Sequence, residues 1–256
     1  NFTTATDAHN VGVGYSAGAA VTTGQYNTIV GSLAGDAITT GNRNVALGTS
    51  AMSTNVLGSR STALGTNALL AQNPATAVDM YNTGVGYSAG TAVTTGIQNT
   101  IVGGLAGDGL TTGQENIALG YNALTLDTTG SHSVAIGSHA LLQQNFTTAT
   151  NSFNIAIGSS AGQQVTTGIR NVLVGGLAGD ALTDADFNVG VGYGALSADT
   201  LGSGSVAIGD FTLVNQNFTT ATTTYNTAVG YSAGAAVTTG VQNTLIGGLA
   251  GDAITT

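Results

Sequence analysis

The chain has 256 residues, of which 40 are glycine, one is proline and none is cysteine or tryptophan. Collagen is excluded, since it needs glycine at every third residue and abundant proline, and disorder is excluded because 42% of residues are apolar and fall at fixed intervals. A formal net charge of −9, with twelve carboxylates against Arg43, Arg60 and Arg170 and no lysine, excludes nucleic acid, whose phosphates need clustered cations.

Residues 10–14 read Asn-Val-Gly-Val-Gly, and this phrase (Asn or Ser, β-branched, small or apolar, aliphatic, Gly) occurs fourteen times, the last at residues 243–247. The closing glycines follow one another at 17, 17, 17 and 21 residues, from Gly14 through Gly31, Gly48 and Gly65 to Gly86, and the same four steps then repeat. A 72-residue unit of four coils thus recurs without insertion or deletion, which marks a solenoid.

Each coil is numbered here from its phrase glycine as position 0. Asn at −4, as in Asn10, Asn27, Asn44, Asn82, Asn99 and Asn116, predicts an amide ladder bonded from coil to coil. Positions −3 to −1 are β-branched, small or apolar, then aliphatic, and predict a short strand bounded by Asn and Gly. Ala follows at +3 in thirteen of the fourteen coils, and +4 runs Gly18, Gly35, Met52, Leu69 through the first unit. An aliphatic at +7, such as Val21 or Ile38, predicts one inward side chain on the opposite strand. Thr-Thr and a glycine at +10 (Gly24, Gly41) then predict a second tight bend. The expected fold is all-β: a parallel β-solenoid, or β-roll, of 14 coils. It is expected to run as one continuous array over residues 1–256, a window of a longer chain, because Asn1 is equivalent to Asn73, Asn145 and Asn217 and no cap stands out.

The fourth coil of each unit carries four extra residues, which predict a projecting loop. Asn-Phe-Thr at Asn1, Asn145 and Asn217 places an N-glycosylation sequon on that loop, and no other asparagine has one. The second copy reads Asn73-Pro74 and lacks it.

Successive strand side chains point to opposite faces, and here both faces are apolar. A solenoid needs only its inner face apolar, so a second layer, another copy of the chain, is expected over the outer one. With the −1 aliphatics assigned to the interior, the −2 side chains form the interface. Ile29, Ile101, Leu173 and Leu245 ridge it every 72 residues.

Residues 133–141, Ser-Val-Ala-Ile-Gly-Ser-His-Ala-Leu, resemble the head repeat of trimeric autotransporter adhesins of the YadA-like type. The form Tyr-Ser-Ala-Gly-x-x-x-Thr-Thr-Gly at 15–24, 87–96 and 231–240 is similar to repeats of phage tail fibres and of large microbial surface proteins. The coils here are longer than is typical of the adhesin family. The resemblance implies a homotrimer at a cell or virion surface that contacts matrix or surface glycans.

No catalytic constellation is expected. His9, His132 and His139 read as non-equivalent in coil position, with no carboxylate or nucleophile recurring beside them. Asp36, Asp108, Asp180 and Asp252 stand four coils apart, about 19 Å by strand spacing, too far to share an ion. They read as turn or edge residues, and neither metal nor cofactor is expected. No apolar run approaches the roughly 20 residues that span a bilayer, so no membrane insertion is expected in this stretch. The sequence reading is thus a structural or adhesive protein, the rod or head of an extracellular fibre, partnered by copies of itself and not an enzyme. The alternative is a carbohydrate- or ice-binding module that uses the loops or the Thr-Thr-Gly face.

Overall fold

The computed structural model describes residues 7–256. The chain forms two compact units, Asn1–Gly130, described from Asp7 onward, and Ser131–Thr256. The first carries seven parallel strands in chain order: Val11–Val13, Thr28–Val30, Val45–Leu47, Thr62–Leu64, Thr83–Val85, Thr100–Val102 and Ile117–Leu119. The second carries seven more: Val134–Ile136, Ile155–Ile157, Val172–Val174, Val189–Val191, Val206–Ile208, Thr227–Val229 and Thr244–Ile246. Each strand is the phrase of one coil, so each unit is a parallel β-solenoid, as the spacing predicted. Register never slips. Gly12 pairs with Ile29, Ile29 with Ala46, and Ala46 with Ala63. Across a 21-residue step Ala63 still pairs with Gly84, so the four extra residues leave the sheet untouched.

The phrase glycine holds this stack at its tightest point. At Gly31, φ is 134°, and an added Cβ would lie 2.5 Å from the carbonyl oxygen of Gly48 in the next coil. A side chain there would force the coils apart, which explains why the position never varies.

The return side of the coil differs from expectation. It is a run of turns, joined only locally by two-residue strands such as Gly58–Ser59 with Val78–Asp79. Left-handed φ at alternate residues (54° at Ser16, 60° at Gly18) breaks any extended path. The N–H of Ala17 donates to Gly14 O at 3.3 Å, that of Ala19 to Ser16 O at 3.2 Å, and that of Val21 to Gly18 O at 3.1 Å. Between coils, Gly18 N–H donates to Ala34 O at 3.0 Å, so the turns stack as regularly as the strands.

The larger correction concerns which face is inside. Ile29 is 2% exposed and Ile101 and Leu173 are 0%, while Leu245 is half-buried against the core of the second unit. These −2 residues are core, not oligomer interface. The −1 residues face out instead: Val13 is 58% exposed and Leu47 45%. The reason is the narrow lumen. Across the coil the −2 side chain meets small positions, the buried alanines at +3, such as Ala34 and Ala51, and the glycines at +4, where a Cβ on Gly35 would lie 3.4 Å from Ile29 Cδ1.

The same packing explains the 72-residue period. An added Cβ on Gly18 would lie 2.9 Å from Ile29 Cδ1, and one on Gly35 3.4 Å from the same atom. One isoleucine therefore fills the space above two +4 glycines. Where −2 is Ala46 or Ala63, +4 becomes Met52 or Leu69, both fully buried. The inward aliphatic at +7 is confirmed by Ile38, Val93, Leu110, Val165, Leu182 and Val237, all buried.

Candidate functional site

The most chemically distinctive surface runs along the strand side of each coil, from position −5 to +1. Its foundation is the Asn at −4. Asn27 N–H donates to Asn10 Oδ1 at 2.8 Å, and its Nδ2 donates to Gly41 O at 2.9 Å across the same coil. The predicted ladder exists, but most of its bonds join amide to backbone. Direct amide contacts are longer, as between Asn99 Nδ2 and Asn82 Oδ1 at 3.3 Å. In the fourth coils Ser replaces Asn and is too short to cross. There a buried glutamine completes the span: Ser61 Oγ donates to Gln72 Oε1 at 3.1 Å, and Asn82 Nδ2 to the same oxygen at 3.0 Å.

With the −4 side chain pinned inward, the residue before it is held outward in a left-handed conformation. φ is 50° at His9, 58° at Tyr26, 55° at Arg43, 60° at Arg60 and 52° at Tyr81. Stacked by coil, these −5 residues form a column of rings and guanidinium groups. The His9 and Tyr26 rings stack at 5.1 Å, with Arg43 over the other face of Tyr26 at 5.4 Å. Arg60 lies over Tyr81 at 5.6 Å and bridges Asp79 Oδ2 through Nε at 2.9 Å. In the second unit His132 stacks on Phe153 at 5.0 Å, and Arg170 lies over Phe187 at 5.4 Å. The histidine reading is corrected here: His9 and His132 occupy the same coil position, −5, and each stacks on the ring one coil ahead. Only His139 stands elsewhere, at +2.

Sequence reasoning missed this column, yet its signal was present. Every one of the eight tyrosines falls at −5 or +1, and every one of the three arginines at −5. At +1, Tyr15, Tyr87, Tyr121, Tyr193 and Tyr231 are all exposed. Tyr193 meets Phe211 edge-on at 5.5 Å. Between the columns lie the outward strand residues, including Val102, Ile117, Ile157 and Ile208, which remain exposed.

The sequon loops present Asn145 and Asn217 to solvent with the threonines that follow them. Phe146 and Phe218 between are buried, so each loop is tacked down at its aromatic residue rather than freely projecting. Asn1 lies outside the described residues. In the Thr-Thr pairs the first hydroxyl is spent within the fold, as Thr22 Oγ1 donates to Thr39 O at 3.1 Å and Thr94 Oγ1 to Thr111 O at 3.2 Å. The second threonine of these pairs is exposed.

Of the Ala-Gly-Asp aspartates, Asp252 is exposed but Asp36, Asp108 and Asp180 are half-buried rather than solvated, and Oδ1 of these three is buried without a hydrogen-bond partner. Burial pushes the carboxyls of Asp108 and Asp180 above the usual carboxylate range, against smaller lowering effects of backbone hydrogen bonds.

Neither a protein-family model nor any curated protein matches this chain significantly. Its character therefore rests on its own geometry: a β-solenoid with one apolar strand face flanked by stacked −5 residues on one side and exposed +1 tyrosines on the other.

Proposed function

We propose that the chain is a structural, self-associating repeat protein, the rod or head of an extracellular fibre, which packs on copies of itself through the outward strand face. The observation that carries this reading is the outward strip of aliphatics at −1 and of Val, Ile and Thr at −3, bordered by every tyrosine and arginine of the chain. Aromatic residues and arginine are the types enriched in interface cores. A second copy suits this strip because it repeats the same coil spacing, so ridge and groove stay in step along the contact. A three-residue strand is about 10 Å long and each coil adds about 4.8 Å, so seven coils offer a strip of roughly 340 Å². A standard interface buries about 800 Å² per partner, so association grows with coil number and draws on the flanking columns. The adhesin-like phrase supports a trimer of this kind at a cell or virion surface, with the sequon loops at Asn145 and Asn217 available to glycans.

The test is sedimentation equilibrium over a wide concentration range, paired with circular dichroism. The expected result is a defined oligomer, and a triple variant Leu47→Glu, Val102→Glu, Ile157→Glu should be monomeric with its strands retained. A wild-type chain that stays monomeric at high concentration with intact strands would end this reading.

A further inference from the structure

Position −5 carries a side chain in every coil but one. In the second unit Phe187 and Tyr225 hold this position two coils apart, and between them stands Gly204, with φ of 73° like its side-chain-bearing neighbours. The result is a cleft of about 400 Å³ lined by Asp186, Phe187, Ser203, Gly204, Thr223 and Tyr225. A Cβ added to Gly204 would meet only Thr223 Cγ2 at 3.7 Å and Tyr225 Cδ1 at 4.0 Å, so the backbone leaves the slot open. Phe187 and Tyr225 stay largely exposed, Tyr225 at 64%.

We infer that this slot between Phe187 and Tyr225 binds a guanidinium group. Three observations select that chemistry. The first is thickness: two coil steps span about 9.6 Å, room for one planar group between two flat faces. The rungs elsewhere in the column lie 5.0 to 5.6 Å from the ring they cover. The second is precedent: all three arginines of the chain stand at −5, each over a ring of its own unit at 5.4 to 5.6 Å. The third is charge. Asp186 lines the slot beside the Phe187 wall, its carboxylate anchored through Oδ1 by the Ile169 N–H of the coil behind at 2.7 Å. Arg60 shows the same combination, a ring below and the Asp79 carboxylate at its edge. A guanidinium satisfies both walls and the carboxylate, through cation–π contact and a charge-assisted hydrogen bond. A compact ammonium cannot lie flat on both faces.

The guanidinium is either a free small molecule or an arginine side chain of a second copy. Calorimetric titration of the whole chain with methylguanidinium chloride, and with methylammonium chloride as comparison, tests the site. Saturable binding of methylguanidinium is expected, at least about tenfold tighter than methylammonium. Asp186→Asn should weaken it about tenfold. Gly204→Arg should fill the slot with the chain's own guanidinium and abolish binding, while Gly204→Ala, which leaves the slot open, should retain it. If Gly204→Arg also lowers self-association, the natural occupant is a partner copy's arginine; if association is unchanged, it is a free ligand. No saturable binding, equal binding of methylammonium, equal binding of an uncharged ring such as benzyl alcohol, or binding undiminished in a folded Gly204→Arg chain would each overturn the assignment.

Discussion

Position +7 is aliphatic in the first two coils of each unit but Asn55, Asp127 or Asp199 in the third and Gln72, Gln144 or Gln216 in the fourth, all buried. Asp199 Oδ1 accepts from Gly202 N–H at 3.1 Å and Phe218 N–H at 3.0 Å, and its Oδ2 accepts from Gln216 Nε2. In the first 72-residue repeat the position equivalent to Phe218 is Pro74, which has no N–H, and the acid is replaced by the amide Asn55. Asn55 binds both the N–H and the C=O of Gly58, and Gln72 Nε2 is left buried without a partner. Acid and loop residue thus change together. Asp199→Asn should orphan Gln216 in the same way and lower stability by about 1–3 kcal/mol. In urea denaturation, Asn55→Asp and Pro74→Phe should couple favourably in a double-mutant cycle, and strict additivity would refute the link.

The second prediction at this scale concerns pH. The raised carboxyls of Asp108 and Asp180 bind more protons folded than unfolded. The unfolding free energy they contribute therefore falls as pH rises from the ordinary carboxylate value through the raised one, and the penalty is complete above it. Asp108→Asn and Asp180→Asn should raise the melting temperature at neutral pH, with the gain vanishing in acid below the ordinary carboxylate range. A gain that persists there would point to another cause.

At the scale of the strand, neighbours along the chain should respond in opposite ways. Ile101 is fully buried and shares its space with Gly90 and Gly107, while Val102 beside it is exposed. Ile101→Ala should cost about 2–5 kcal/mol of folding stability in chemical denaturation. Val102→Ala should cost less than about 1 kcal/mol of folding stability and weaken self-association instead. Much of the strand was legible beforehand: its place, its length, its parallel neighbours and its unbroken register follow from Asn, β-branched residue and Gly at constant spacing. Its facing was not, because alternation establishes that −1 and −2 oppose each other without saying which is inside. The face opposite decided that, because the buried +3 alanines and the +4 glycines leave room for the −2 side chain to enter. The column at −5 stayed hidden for a related reason. Tyr, Arg, His and Phe share no sequence type, and only stacking makes them one surface.

For the whole molecule, stability is expected to accumulate coil by coil, since each coil bonds chiefly to its neighbours. The packing period, however, is four coils. Excising 72 residues, 86–157, should leave a cooperatively folding chain, because each −2 side chain meets its proper +4 partner again. Excising the single 17-residue coil 86–102 removes Ile101, which fills the space above Gly107, and should cost several-fold more in stability. Thermal unfolding of the two deletions measures the difference, and equal loss would mean that the coils are interchangeable.

The sequence by itself determined the solenoid, its four-coil period, the strand positions and the amide ladder, because each arises from residues at constant separation along one chain. The tertiary structure alone decided which strand face is core, that the return side is turns, and that rings and guanidinium groups from separate coils meet in one column. Those outcomes depend on which side chains the lumen admits and on how residues 17 or 21 positions apart stack, and neither can be read within a single coil.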